Sequence, residues 1–103
     1  MANVFKNETA RATIAGATMY TVDAGKTTVV IGLNLANNSV QTQQVSVQVT
    51  PSNFYLLKDA PIPAGSALSA LDGKLILEAG DSLVIYGDND NQIDGFLSIL
   101  EQS

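Results

Sequence analysis

A chain of 103 residues with 46% hydrophobic and 15% charged side chains, a formal net charge of −5 and no cysteine, histidine or tryptophan has the material for one packed core, expected to span residues 1–103 as a single domain. It is too apolar to stay disordered, and its apolar runs fall far short of the roughly 20 residues of a membrane-spanning helix. The missing side chains exclude Ser-His-Asp and Cys-His nucleophilic centres, disulfides, and zinc or copper sites built on thiolate or imidazole, while the acidic balance argues against binding a phosphate backbone.

The opening Met1-Ala2-Asn3-Val4-Phe5-Lys6-Asn7 has no basic segment leading into a long apolar one, so it does not read as a secretory signal. Residues 1–10 are expected to form either an extended amino-terminal arm or an edge strand, with Val4–Lys6 as a short strand candidate and Ala12–Ile14 as another. Thr18–Val22 reads as a strand, closed by the turn residues Asp23-Ala24-Gly25-Lys26. Thr27 to Ala36 then predicts a long core strand with Val29, Ile31, Leu33 and Leu35 on one face. Asn37-Asn38-Ser39 breaks the pattern, and the next strand, Gln44 to Thr50, places valine at every second position. These two strands are expected to pair as a hairpin.

Further strands are predicted at Phe54–Leu57, Ala67–Leu71, Lys74–Leu77, Ser82–Tyr86 and Ile93–Leu100. Turn signals at Asp72-Gly73, Glu78-Ala79-Gly80-Asp81 and Gly87-Asp88-Asn89-Asp90 separate the later ones. Pro51, Pro61 and Pro63 mark loops or edges, because proline cannot donate to a ladder. Seven to ten short strands without helical periodicity imply an all-β fold, a single small antiparallel β-sandwich of jelly-roll or immunoglobulin-like type. The expected core is Ile31, Leu33, Leu35, Val45, Val47, Val49, Leu75, Leu77, Leu83, Ile85, Leu97 and Ile99.

Candidate chemistry is sparse. Gly25-Lys26-Thr27-Thr28 has the tail of a phosphate-binding loop, but Tyr20 stands where its first glycine belongs and a strand follows where a helix should open. Asp88, Asp90 and Asp94, followed by Glu101, fall near the register of a calcium loop; the strand-like flanks favour a solvated turn instead. The acidic residues all fall in predicted turns or at strand ends, where a solvated role is the ordinary one. Tyr20, Tyr55 and Tyr86 would make a carbohydrate-binding strip if they shared a face, and core or sheet-edge rings if they did not. No cofactor, catalytic residue or metal ligand is expected.

The segments Met1 to Asn7, Tyr20-Thr21-Val22-Asp23-Ala24-Gly25-Lys26-Thr27-Thr28-Val29-Val30-Ile31-Gly32-Leu33-Asn34-Leu35-Ala36-Asn37, Tyr55 to Ser66 and Gly73 to Leu83 together resemble the small β-sandwich virion proteins of tailed bacteriophages. The resemblance implies a strand, a tight turn and a long core strand for the second segment, and a turn between two antiparallel strands at Leu77-Glu78-Ala79-Gly80-Asp81-Ser82-Leu83. It further implies a capsid decoration (cement) protein that binds the major capsid protein lattice, made in the host bacterial cytoplasm and located in the virion as a homo-oligomer, without nucleic acid or membrane as partner. A tail or neck subunit, or a carbohydrate- or calcium-dependent binding module, is the alternative. The docking face is expected around Val4, Phe5 and Lys6, an apolar and basic segment ahead of the first strong strand.

Overall fold

A computed structural model describes residues 3–70 and 75–102. The described residues form nine strands and no helix: β1 (Asn3–Arg11), β2 (Ala17–Thr21), β3 (Thr27–Asn37), β4 (Gln43–Thr50), β5 (Phe54–Ile62), β6 (Ala67–Ser69), β7 (Leu75–Leu77), β8 (Ser82–Gly87) and β9 (Ile93–Gln102). One sheet runs β1-β9-β3-β6, with β7 also on β3, and the other runs β2-β8-β4-β5. All the strand pairs are antiparallel. This is the β-sandwich expected from the alternation.

Its connectivity is nested. β4 pairs with β5, β3 with β6 and β7, β2 with β8, and β1 with β9. The chain is thus doubled on itself about the β4–β5 turn, and the doubled ribbon is rolled so that β9 also meets β3 and β8 also meets β4. That winding is a jelly roll, which covers the apolar face of each sheet with the other. It also corrects two expectations. β3 and β4 lie in different sheets and do not form a hairpin, and Glu78 to Asp81 carries the chain from β7 in one sheet to β8 in the other. Asn37, buried at the end of β3, anchors the first of these crossings. Its Nδ2 donates to the carbonyls of Gln41 (2.7 Å) and Ile62 (2.8 Å), and its Oδ1 accepts from the backbone N–H (2.9 Å) and hydroxyl (2.7 Å) of Ser39.

The core gathers Val30, Leu33, Leu35, Val45, Val47, Leu77, Leu83, Ile85, Ile93, Leu97 and Ile99, all nearly inaccessible, together with Met19, Val22 and Ile62. Ile31 was expected inside and is 43% exposed. A register shift between Val30 and Gly32 inserts an extra residue against β9, so Thr28 and Val30 face inward before it and Leu33, Leu35 and Asn37 after it. Leu75, another expected core residue, is only half-buried at the start of β7. Ala12–Ile14 is not a strand; Thr13 makes an isolated bridge to Tyr86. Asp72-Gly73 and Lys74 lie outside the described residues.

Gly16 turns the chain between Thr13 and β2 at φ +100°, and a Cβ there would stand 2.5 Å from Cε2 of the Tyr86 ring. Gly16→Ala is therefore expected to lower stability by about 1–3 kcal/mol, because it adds a strained backbone to a steric overlap. A lower urea midpoint with an unchanged slope would confirm it.

Candidate interaction surface

The amino-terminal segment is a strand of the domain's own sheet. β1 pairs with β9 from Asn3 opposite Gln102 to Arg11 opposite Asp94, without a register break. Among the described residues nothing pairs with its other edge. The candidate residues Val4, Phe5 and Lys6 divide between its two faces: Phe5 lies on the outer face, whereas Val4 and Lys6 alternate with it toward the inner side. Val4 is 45% exposed and Phe5 74%.

On the outer face of the β1-β9-β3 sheet, Phe5 stands opposite Leu100, Leu100 opposite Val29, and Val29 opposite Ile76. One apolar row therefore crosses four adjacent strands, with Ile31 displaced outward next to it by the bulge. Phe5 and Ile76 are its most exposed members. The row was missed in the sequence because its members lie far apart along the chain and only the pairing lines them up. Farther along the same face the surface turns polar. Arg11 Nε donates to Asp94 Oδ1 at 3.0 Å beside a depression of about 640 Å³ lined in part by Thr9, Asn34, Asn91 and Phe96.

The acidic residues of the β8–β9 loop and of the start of β9 are tied into the fold through separate carboxylates. Asp88 accepts from the Gln44 N–H at 2.9 Å, Asp90 from the Ile14 N–H at 2.9 Å, and Asp94 from Arg11 and from Asn38 Nδ2 at 3.1 Å. Each serves a different segment, and among the described residues no group of three or more acidic side chains could hold a metal ion. The three tyrosines do not share a face. Tyr20 is buried, Tyr55 is on β5 with Lys58 Nζ 4.5 Å from its ring centre, and Tyr86 donates to Gln48 Oε1 at 3.0 Å.

A search of protein-family models and one of curated proteins both find no match to this chain. A solved structure does match. It comes from a study of Bacillus endospore appendages described as a novel family of disulfide-linked pili, with a TM-score of 0.59 and 10% identity over 99% of this chain and 87% of that one. At that identity the likeness is one of fold.

One buried polar cluster was not foreseen. The sequence puts Glu101 with the solvated acidic residues at strand ends, yet it is 5% exposed. Its position follows the inward alternation Leu97, Ile99, Glu101 on β9, which was the available signal. The Tyr20 hydroxyl donates to Glu101 Oε2 at 2.6 Å and is 2.8 Å from Thr28 Oγ1. Tyr20 has one proton to give, so Thr28 is the donor in the second contact. Lys6 and Lys26 approach Glu101 Oε1 at 3.2 and 3.8 Å. The tyrosine's hydrogen bond and then the lysines hold the Glu101 carboxyl below its ordinary range, against the opposing effect of burial. Burial, followed by the bond to Glu101, pushes Tyr20 up to about 12. Lys26, the lysine of the phosphate-loop fragment, is thus engaged with Glu101 and with Asp23 at 3.8 Å.

Proposed function

We propose that this chain is a non-catalytic structural subunit of a bacteriophage virion: a capsid decoration protein, made in the host bacterial cytoplasm, that binds the major capsid protein lattice and stabilises the head. The observation that carries this reading is the apolar row Phe5, Leu100, Val29 and Ile76 across an open sheet face. Its end members Phe5 and Ile76 are 74% and 64% exposed, so most of their apolar surface remains to be covered. Fully covering side chains of this size contributes roughly 1.5–3 kcal/mol each, and many copies held on a lattice reinforce one another through effective concentration. The sequence resemblance to small virion sandwiches supplies the identity of the partner.

Purified particles should contain the chain at a copy number matching the shell lattice. Phe5→Lys and Ile76→Lys, both at exposed positions, should each weaken binding to undecorated particles by about tenfold or more, equivalent to about 1.4 kcal/mol, without changing the unfolding midpoint. A handful of copies per particle would indicate a tail or neck subunit instead. Absence from the particle would end the virion reading.

One observation favours a second reading, a polymerising appendage subunit: the fold likeness to the pilus-forming protein. This sequence contains no cysteine, so these residues could not supply disulfide links to such a fibre. Fibres in electron micrographs of the pure protein would select that reading.

A further inference from the structure

We infer that the free edge of β1 pairs with β1 of a second copy of this chain, antiparallel and about a twofold axis through Asn7. The backbone decides which residues can take part. Ala12 N–H donates to the Ile93 carbonyl at 2.9 Å, and the Ala12 carbonyl accepts from Asn91 N–H at 2.9 Å, so the polar groups of Ala12 point toward β9. β1 runs without a register break, so by alternation Ala10, Glu8, Lys6 and Val4 also direct their N–H and C=O groups at β9. Those of Asn3, Phe5, Asn7, Thr9 and Arg11 face the open edge. A strand added antiparallel to this edge must set odd-numbered residues against odd-numbered ones, which limits the registers available.

Charge selects among them. With Lys6 on the axis, Lys6 opposes its own copy, and with Glu8 on the axis, Glu8 does; like charges directly opposite are destabilising. With Asn7 on the axis, Lys6 faces the partner's Glu8 and Glu8 faces the partner's Lys6. These are non-hydrogen-bonded pairs, the closely approaching kind. This register also overlaps the whole of Asn3–Arg11 and sets Phe5 against the partner's Thr9 on the outer face. Among the described residues Glu8 has no ion pair within the chain, whereas Lys6 reaches Glu101 from a half-exposed position. The pairing would close the exposed edge that natural sheets otherwise protect, through an isologous twofold contact. It concerns the protein alone in solution, so it stands or falls separately from docking on a shell.

The test uses the full chain. In sedimentation over a concentration series, the wild type is expected to reach twice the chain mass of 10.8 kDa. Glu8→Lys sets lysine against the partner's Lys6. Glu8 stands opposite Leu97, but among the described residues its side chain makes no hydrogen bond or ion pair within the chain, so the variant should remain at the single-chain mass while still unfolding as a cooperatively folded chain. Because the sequence lacks cysteine, oxidation of single-cysteine variants reads the register directly. Opposite positions in a hydrogen-bonded pair lie about 5.5 Å apart at Cα, within disulfide reach. Asn7→Cys should form a covalent dimer, whereas Phe5→Cys and Thr9→Cys should crosslink only when mixed with each other. A wild type that stays monomeric, a Glu8→Lys chain that dimerises as the wild type does, or Phe5→Cys crosslinking with itself as readily as Asn7→Cys would each overturn the pairing.

Discussion

Truncating Leu97 to alanine is expected to lower unfolding stability by about 3–4 kcal/mol, a large part of the roughly 5–15 kcal/mol available to a domain of this kind. Leu97 is fully buried on β9, between Glu8 of β1 and Leu33 of β3 in the ladder. It projects from the middle of one sheet toward the other, so the space it leaves is walled by strands that cannot close over it without breaking register. Chemical denaturation with an unchanged slope should report the loss, while Leu97→Met, which keeps the volume, should cost less than about 1.5 kcal/mol. A truncation costing under about 1 kcal/mol would mean that the sheets do not meet there.

Glu101→Ala is expected to cost about 3 kcal/mol, because it strips a buried hydroxyl of its acceptor and leaves Lys6 without its counter-charge and Lys26 with Asp23 alone. Glu101→Gln keeps an acceptor for Tyr20 and should cost less, about 1–2 kcal/mol. The same network makes stability depend on pH at both ends. Glu101 has its folded value lowered, so its contribution is complete above the ordinary carboxylate range and is lost as pH falls through the folded value. Tyr20 is raised from 10.0 to about 12, so the unfolded chain ionises first and stability falls as pH rises across that interval. Unfolding midpoints measured against pH should show both limbs in the wild type and flatter ones in Glu101→Ala. A wild-type profile without the acid limb would contradict the network.

Strand identity was legible wherever one face alternates without interruption. Val45, Val47 and Val49 face inward on β4, and Leu97 and Ile99 on β9, as period-two patterning requires. The pattern misled at Ile31 because a bulge adds one residue and exchanges the faces, and that insertion depends on the partner strand, not on local composition. The turn residues were recognisable, but Asn37-Asn38-Ser39 reads alike whether the chain returns along the same sheet or crosses to the other. Partner choice belongs to the nested pairing, which no local signal encodes. Proline did report correctly on the edge: Pro61 lies in β5, the outer strand of its sheet.

The candidate surface was legible only in part. Phe5 stands out in the sequence as an apolar residue ahead of the first strong strand, whereas Val29, Leu100 and Ile76 read as ordinary members of their own strands. Which face of a strand a sandwich leaves open is decided by where the second sheet lies. Glu101 was hidden for the opposite reason: the expectation that carboxylates are solvated outweighed its phase with Leu97 and Ile99.

The order of synthesis imposes a delay on this winding. Arg11 and Asp94, joined across β1 and β9, are 83 positions apart, so the first strand leaves the ribosome long before its partner exists. The β4–β5 unit at the fold of the ribbon closes the shortest loop and is best placed to form first, with β3, β2 and β1 recruiting their mates in turn as the second half emerges. Until β9 arrives, Phe5 and the unpaired backbone of β1 stay available to other nascent chains, and the segment with which the finished protein would meet its own copy is the last to be secured.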